Sequence, residues 1–250
     1  MGGQTATVVI EPYNRDCRHL TDGTTELAHT LTNHLYINSM DFLRKHWFDV
    51  GAGVGLLLGL WIYQEFDHLT TYQVLLWLSL LSLFAHQVEE YRVVGTFPGM
   101  VNKVMYQSTM PDRYPLNTNT SLYVNAFIGW GAYFLAAWLA EKAVWLGIAT
   151  ILVSLGNMLA HTFVFNIKGR TFYNAGMATS WLLFVPISYY FFTIINQHHL
   201  VTTTDYLIGV PVGIFLNVVG IVKLIDWLKD PHTPYIFPQR CLLPEDRKAT

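Results

Sequence analysis

Some apolar stretches of this chain carry side chains that can bind a metal or transfer a proton. His86, Glu89 and Glu90 lie in one such stretch, residues 75–90, and His161 lies in another. A charged group at the centre of a membrane span costs about 2.5–3.5 kcal/mol on insertion scales, so ionisable residues at that depth usually have a function. These two segments are therefore the first candidates for a functional site.

The spacing of these residues favours a metal site. Glu89 and Glu90 follow His86 by three and four residues, so on an α-helix the three side chains share one face. With His161 from a second helix, two imidazoles and a carboxylate form a minimal site for one Zn²⁺ or Fe²⁺ ion, with positions left for water or substrate. We predict Glu89 as the carboxylate ligand. Glu90 is then a fourth ligand or a general base on water that the metal activates, unless it reaches the membrane surface beside Arg92.

Further polar residues are predicted to complete the site. Asn157 lies one helical turn before His161 on the same face and is assigned to catalysis beside the metal. The predicted substrate-binding residues are Asn125, Tyr173, Asn174 and Lys223. Two of them have simpler alternatives. Asn174 is equally placed to cap a helix, and Lys223 is favoured as an ion pair with Asp226 at the membrane surface.

Membrane-spanning helices must position these residues. The chain has 250 residues, of which 52% are hydrophobic and 13% charged, whereas soluble domains average about 25% charged residues. Stretches of about 20 apolar residues are long enough to cross a bilayer. We place six spans at residues 48–65, 72–92, 120–140, 143–166, 175–196 and 205–228. The predicted fold class is therefore all-α, a polytopic membrane helix bundle.

The basic residues predict that both termini face the cytoplasm. Of the 15 Lys and Arg residues, 13 lie in the tails and connections of one side, Lys142 lies on the other side, and Lys223 lies within the last span. Positive residues concentrate on the cytoplasmic side of membrane proteins, and termini on the same side require an even number of spans. Cys17 and Cys241 lie outside the spans near opposite ends of the chain. They suggest no disulfide, which fits a reducing compartment.

This topology brings the two histidines to one depth. His86 lies six residues before Arg92, and His161 lies seven residues before Lys168. With a rise of 1.5 Å per residue, both imidazoles lie roughly 10 Å from the inner boundary of the membrane. The predicted site is therefore in the cytoplasmic leaflet of an integral, multi-pass membrane protein, and in the cell membrane if the source is bacterial.

Three regions follow from the same pattern. Residues 1–45 form a cytoplasmic N-terminal segment with an amphipathic helix, residues 46–228 form the membrane domain, and residues 229–250 form an irregular cytoplasmic tail. Residues 1–41 are polar, so no secretory signal peptide is predicted. The segment Gly95–Asn119 is too polar to span and is expected to lie on the membrane surface, where it would cover the site.

Three short motifs resemble those of a family of integral-membrane proteins named for its HxxEE motif. The motifs are HxxEE at residues 86–90, NxxxH at residues 157–161 and a YNPG-like element at residues 173–176. In the third motif Ala175 replaces the usual proline, which affects local geometry more than chemistry. The resemblance covers roughly residues 70–195 and implies a membrane-embedded, metal-dependent enzyme without a settled reaction.

The favoured function is a metal-dependent membrane enzyme that activates water or oxygen. Its substrate would be a lipid-like or hydrophobic small molecule in the cytoplasmic leaflet. A hydrolase is slightly favoured because hydrolysis needs no further partner. No nucleic-acid partner is predicted, and a homodimer is left open.

Three alternatives are retained. One is a metal-free isomerase or cyclase of a terpenoid or sterol-like substrate, with a buried Glu as acid and aromatic rings around a carbocation. Another is a non-haem iron oxidoreductase, which would need an external electron source. The last is a proton-coupled carrier with His86 and Glu89 as a relay. Apart from Glu65 and Asp205 at the span ends, no Asp, Glu, His, Lys or Arg lies in the outer halves of the spans, which argues against the carrier.

Overall fold

The computed structural model describes the backbone of residues 18–247 and the side chains of residues 39–247. The chain divides into two units, Met1–Asp41 and Phe42–Thr250, and the following description concerns the second. All regular secondary structure of the described residues is helical, which confirms the predicted all-α class. Cys17 and the side chains of the predicted N-terminal amphipathic helix, up to residue 38, lie outside the described residues.

Helices follow one another along the described chain with short connections. They are α1 (Arg18–Glu65), α2 (Thr71–Val88, continued by the π-helical turn Glu89–Val93), α3 (Phe97–Gly99, continued by the π-helical turn Met100–Met105), α4 (118–139), α5 (144–169), α6 (Met177–Gln197) and α7 (Thr203–Trp227). Short 3₁₀ turns lie at Phe66–His68, Ala140–Ala143, Gln239–Cys241 and Pro244–Asp246.

Three helical stretches of the described residues are long and apolar enough to cross a membrane, where the sequence predicted six spans. They are Thr118–Gly169, Met177–Gln197 and Thr203–Trp227. The first has 52 residues and contains the third and fourth predicted spans. The helix is interrupted at Ala140, where φ is 44°. The first and second predicted spans lie in α1 and α2. These helices are long enough to cross a membrane but contain more polar residues than the three stretches above.

Helices α4 and α5 form a hairpin around this interruption. The hydroxyl of Tyr133 in α4 donates to the carbonyl oxygen of Thr150 in α5 at 2.9 Å. It also lies 2.7 Å from the hydroxyl of Ser154, one turn further along α5. Tyr133 and Ser154 are each no more than 2% exposed. Buried hydrogen bonds of this kind hold apolar helices together without exposing polar groups to lipid.

The outward faces of the helices are apolar. Leu57 in α1, Leu182 in α6 and Leu207 in α7 are 70%, 73% and 70% exposed. Large contiguous apolar surfaces are rare on soluble monomers and indicate contact with a membrane or a partner. Together with the three long apolar helices, this surface indicates a membrane protein.

Two glycines allow α7 to pack closely on α5. A Cβ atom on Gly209 would lie 2.5 Å from the carbonyl oxygen of Trp145, and one on Gly213 would lie 2.9 Å from the Cβ of Leu152. The Gly-x-x-x-Gly spacing puts both glycines on one face of α7, as in closely packed membrane helices. This contact holds α5, which carries His161, within the bundle.

The segment Gly95–Asn119 folds into α3 and a compact loop organised by Asn102. The Asn102 side chain is fully buried. Its amide nitrogen donates to the carbonyl oxygens of Pro111 at 2.9 Å and Leu116 at 2.8 Å, and its oxygen accepts from the Leu116 N–H at 2.9 Å. A single side chain thus replaces the backbone pairing that a buried loop lacks.

Asn102→Leu is expected to destabilise this loop strongly. The substitution leaves three buried backbone groups without partners, which costs about 1–3 kcal/mol for each group. Thermal unfolding of the purified protein in detergent measures the effect. Asn196→Leu is the control, because Asn196 is exposed and its side chain makes one hydrogen bond, to the Phe192 carbonyl oxygen at 2.7 Å. Equal melting temperatures for the two variants would contradict the prediction.

The tail after α7 contains no long helix up to residue 247, where the described chain ends, and it packs against the rest of the unit. The Phe237 N–H donates to the carbonyl oxygen of Asp112 at 2.8 Å. The Arg240 guanidinium donates to the Tyr91 carbonyl oxygen in the turn that follows α2. Cys241 is 1% exposed, and burial raises the pKa of its thiol to about 11. The tail therefore forms an ordered cover beside the HxxEE segment.

Candidate metal centre

Three buried side chains from two helices converge at the end of α2. His86 comes from α2, Glu90 from the π-helical turn that continues it, and His161 from the π-helical turn Ala160–Val164 in α5. They are 2%, 3% and 0% exposed. The Oε1 atom of Glu90 lies 3.4 Å from Nε2 of His86 and 3.2 Å from Nε2 of His161. One ligand atom from each residue lies within 4.8 Å of the others, so the group could hold a metal ion.

Local helix geometry explains this convergence. The four-residue spacing of His86 and Glu90 puts both on the face of α2 that meets α5. π-helical turns occur where α2 and α5 carry the group and at Ser180–Phe184 in α6. Others lie outside the group, at Met100–Met105, Tyr123–Trp130 and Leu216–Lys223. Such turns insert an extra residue into a helix and are frequent at functional sites.

Asn174 selects the tautomer of neutral His161. Its amide nitrogen donates to the carbonyl oxygen of His161 at 2.8 Å and to Oδ1 of Asn166 at 2.7 Å. The amide oxygen of Asn174 therefore faces Nδ1 of His161, at 2.6 Å. Because an amide oxygen can only accept, Nδ1 carries the proton in neutral His161 and Nε2 presents a lone pair.

Thr179 orients His86 in the same way. The Thr179 hydroxyl donates to Oε2 of Glu89 at 2.6 Å. Its oxygen is then free to accept from Nδ1 of His86, which lies 2.9 Å away. Nδ1 is therefore the protonated nitrogen, and Nε2 of His86 also presents a lone pair. Both imidazoles are held through Nδ1 by the segment 174–179.

When both imidazoles are neutral, the result is a buried cluster of acceptors without a donor. The lone pairs of two Nε2 atoms face the carboxylate of Glu90, and neither Nε2 has a hydrogen-bond partner among the described residues. Each Nε2 lies within 3.4 Å of Oε1 but makes no hydrogen bond to it. An unpaired buried acceptor costs about 1–3 kcal/mol, so two that converge on a buried carboxylate call for a cation between them. Histidine metal ligands commonly have an oxygen acceptor on the other ring nitrogen, as here.

Glu89, which the sequence predicts as the carboxylate ligand, points elsewhere in the structure. Its oxygens accept four hydrogen bonds, from the hydroxyls of Tyr173 (2.7 Å) and Thr179 (2.6 Å) and from the backbone N–H groups of Ala178 (3.1 Å) and Thr179 (2.8 Å). Burial and the bond to Glu89 raise the pKa of Tyr173 to about 12, so its hydroxyl remains a donor. Glu89 therefore acts on the Nδ1 side of His86, and Glu90 is the carboxylate of the group.

Thr179→Val is expected to weaken metal binding by about 10–100-fold, the usual cost of losing a group that orients a ligand. Valine keeps the shape of threonine but removes the acceptor for His86 and a donor to Glu89. Titration of the metal-free protein with Zn²⁺ measures the loss. Thr193→Val is the matched control, because the Thr193 hydroxyl donates only to the Tyr189 carbonyl oxygen on an exposed face. Equal zinc affinity in both variants would remove the role given to Thr179.

Gly176 lies against both imidazole rings. A Cβ atom at this position would be 2.5 Å from Cε1 of His161 and 2.8 Å from Cε1 of His86. The residue also has a φ of 100°, which side chains other than glycine rarely adopt. The YNPG-like motif is therefore a close-packed turn that places Asn174 and Thr179 on the two histidines.

A largely apolar pocket borders the group. The pocket has a volume of about 80 Å³, measured as the space open to the centres of water molecules. Its polar lining comes from His86, Glu90, Gln87, Tyr91, Asn125, Tyr133 and Asn157. The space exceeds the roughly 10–15 Å³ that one water needs on this measure. It therefore has room for several waters or for part of a substrate next to Glu90.

The predicted substrate residues divide into three groups. Asn125 lines the pocket, and so does Asn157, which the sequence assigns to catalysis. Tyr173 and Asn174 instead contact Glu89 and His161. Lys223 does not line the pocket. It is 54% exposed and lies 3.9 Å from Asp226, which is the ion pair favoured as the simpler alternative.

Sequence analysis missed several residues that the structure brings to the site. Thr179, Gln87 and Tyr91 carry no motif spacing, and only the three-dimensional packing reveals them. Gly176 belongs to the YNPG-like motif, but its contact with the histidines was not predicted. The sequence feature that could have pointed to Thr179 is its position three residues after Gly176, in the first turn of α6.

No curated protein and no solved structure matches the chain. A family model described as "Protein of unknown function with HXXEE motif" matches residues 77–191. This range contains His86, Glu90, His161 and the segment 174–179 that orients the two histidines. The match therefore confirms the resemblance to the HxxEE family that the three motifs predicted.

Proposed function

We propose that this protein is a membrane-embedded enzyme that uses one divalent metal ion, Zn²⁺ or Fe²⁺, held by His86, Glu90 and His161. The convergence of two buried, unpaired imidazole nitrogens on the buried carboxylate of Glu90 carries this proposal. Two imidazoles and one carboxylate are a common donor set of catalytic zinc and non-haem iron sites. Such sites keep one or more positions open for water or substrate.

We further propose that the bundle spans the membrane six times with both termini in the cytoplasm. The α4–α5 hairpin supplies two spans from one long apolar stretch, and α1 and α2 supply the two that are less apolar. The excess of basic residues on the side where α2, α5 and α7 end supports this orientation. The metal site then lies in the cytoplasmic leaflet.

Hydrolysis of a hydrophobic substrate is the reaction that we favour. A divalent metal polarises a carbonyl group and lowers the pKa of its water to near 7. Glu90 belongs to the metal group and also lines the pocket, so one carboxylate oxygen can bind the metal while the other is placed to take the proton of the water. Glu89 accepts four hydrogen bonds and is less available as a base. The pocket holds the substrate next to Glu90, with Asn157 and Asn125 in its wall.

Elemental analysis of the purified protein tests this function. We expect one Zn or Fe per chain, and loss of the metal in His161→Ala, because His161 supplies one of the three ligand atoms. The identity of the metal separates a water-activating zinc enzyme from an iron oxidoreductase. Absence of bound metal in the native protein, or unchanged metal content in His161→Ala, would overturn the proposal. Activity that survives complete chelation would favour the metal-free isomerase or cyclase instead.

A further inference from the structure

The pocket beside the metal group is made of apolar side chains and neutral hydrogen-bonding groups. Its apolar walls come from α2, α4, α5 and α7 and include Leu83, Val124, Ile128, Val153, Leu216 and Ile225. Three amides and two phenols face the same space, from Gln87, Asn125, Asn157, Tyr91 and Tyr133. Such a lining suits a molecule with an apolar body and a small polar end.

We propose that this pocket takes an uncharged amphiphile, a short apolar chain that ends in a neutral carbonyl group such as a carboxamide or an ester. The inference rests on the metal enzyme proposed above and specifies its substrate class. Phosphate-bearing lipids and cationic amphiphiles are then excluded. Hydrolysis of this class balances with water alone. The oxygen of water bonds to the acyl carbon, the C–N or C–O bond breaks, and a proton passes to the leaving nitrogen or oxygen.

The absence of a cation from the pocket is the first argument. No Lys or Arg of the described residues lines it. The nearby basic side chains have other partners, since Arg92 pairs with Asp49 at 3.1 Å and Lys103 pairs with Asp246 at 3.4 Å. Lys223 is exposed. A buried phosphate without a cationic partner would pay a large desolvation cost, so the pocket is unsuited to it.

Charge balance at the metal leads to the same conclusion. A divalent ion carries two positive charges, and the adjacent Glu89 and Glu90 carry two negative charges when ionised. Glu89 is only one residue from Glu90, and it contacts His86 through the Thr179 hydroxyl. The loaded site therefore has no net positive charge for an anionic substrate. It also has no net negative charge that would attract a cationic one.

Asn157 offers the polar end of the substrate a partner. Its amide nitrogen donates to the Val153 carbonyl oxygen at 3.0 Å, which holds the side chain against α5. Its amide oxygen has no hydrogen-bond partner among the described residues, and Asn157 lines the pocket. Asn125 differs, because it already bonds to Gln87, Tyr91 and Ser121. Asn157 is therefore the specificity residue that accepts a hydrogen bond from a carboxamide N–H.

Calorimetric titration with three probes of equal chain length tests the proposal. Hexanamide, hexyl phosphate and hexyltrimethylammonium are added to detergent-purified protein whose metal content has been measured in the same sample. We expect saturable binding of hexanamide, and binding at least about tenfold weaker for both charged probes. Hexyl phosphate that binds as tightly as hexanamide would overturn the proposal. Failure of hexanamide to bind the metal-loaded protein would also overturn it, while the proposed metal function would stand.

A variant tests the specificity residue. Asn157→Leu should weaken hexanamide binding by about 3–10-fold, the loss of one hydrogen bond, without a change in metal content. Asn196→Leu is the control, because Asn196 makes the same bond to a carbonyl four residues earlier but lies on an exposed face. Unchanged hexanamide affinity in a folded, metal-loaded Asn157→Leu protein would remove Asn157 from the proposal.

Discussion

Glu90→Gln is expected to abolish metal binding and yet to stabilise the metal-free protein. The amide nitrogen of glutamine carries two protons and would stand where Oε1 lies 3.4 Å and 3.2 Å from the Nε2 atoms of His86 and His161. It can donate one hydrogen bond to each Nε2 lone pair, so both nitrogens gain the partner that the metal would otherwise be. We expect a gain of about 1–3 kcal/mol in the metal-free state and at least about 100-fold weaker metal binding.

Glu89→Gln is the matched control and should have the opposite effect on stability. All four partners of Glu89 donate to it, so an amide NH₂ would face donors and lose hydrogen bonds. Chelator-treated samples of both variants and the wild type are compared by thermal unfolding in detergent. If Glu90→Gln melts below the metal-free wild type, the two Nε2 atoms are not unprotonated acceptors, and the argument for a metal fails.

Gly176→Ala is expected to destroy the site while Gly131→Ala leaves it intact. The methyl group added to Gly176 would lie within 2.9 Å of atoms in both imidazole rings, and alanine would be forced into a φ of 100°. Backbone strain of this kind costs about 1–3 kcal/mol before any clash is counted. We expect a lower melting temperature and at least about tenfold weaker metal binding, because both ligands must shift.

Gly131 lies within α4, and a Cβ atom there would meet nothing within 4 Å. Alanine in the interior of a helix is favoured over glycine by about 1 kcal/mol, so Gly131→Ala should melt at or slightly above the wild-type temperature. Metal content and melting are measured on both variants. Normal metal affinity in Gly176→Ala would contradict the close approach of this turn to the histidines.

The sequence predicted which residues share the site better than it predicted their roles. The spacing of His86, Glu89 and Glu90 puts all three on one side of a helix, and it cannot distinguish the two acids. The structure distinguishes them through the neighbouring helices, since α5 brings His161 to Glu90 and the start of α6 brings donors to Glu89. The groups that contact each carboxylate therefore decide its role: Glu90 is the ligand candidate, and Glu89 helps to orient His86 through Thr179.

The contacts made through Nδ1 could not be predicted from periodicity. Thr179 lies 93 residues after His86, and its contact depends on how α6 enters the bundle. Asn174 was predicted as a cap or a substrate ligand because a single asparagine before a helix fits both roles. Its actual contacts, with His161 and Asn166, depend on the fold of the turn.

The helical class follows directly from the composition, but the number of spans depends on finer features. The interruption at Ala140 lies where the sequence predicted the short connection between the third and fourth spans. The first two predicted spans are less apolar than the three helical stretches that are long and apolar enough to cross a membrane. In α2 the polar residues His86 and Gln87 of the candidate site lower the mean hydropathy of the helix. A hydropathy criterion alone therefore does not recognise α2 as a span.

The dependence of both histidines on one turn has a consequence for biosynthesis. His86, Glu90 and His161 all precede Asn174 and Thr179 in the chain, so a nascent protein contains the three ligand candidates before the groups that orient them exist. Metal capture would then wait until the fifth predicted span has been inserted and its first turn has closed over the imidazoles. A chain that stops at residue 170 should insert its helices but retain no metal, which would protect early intermediates from binding the wrong ion.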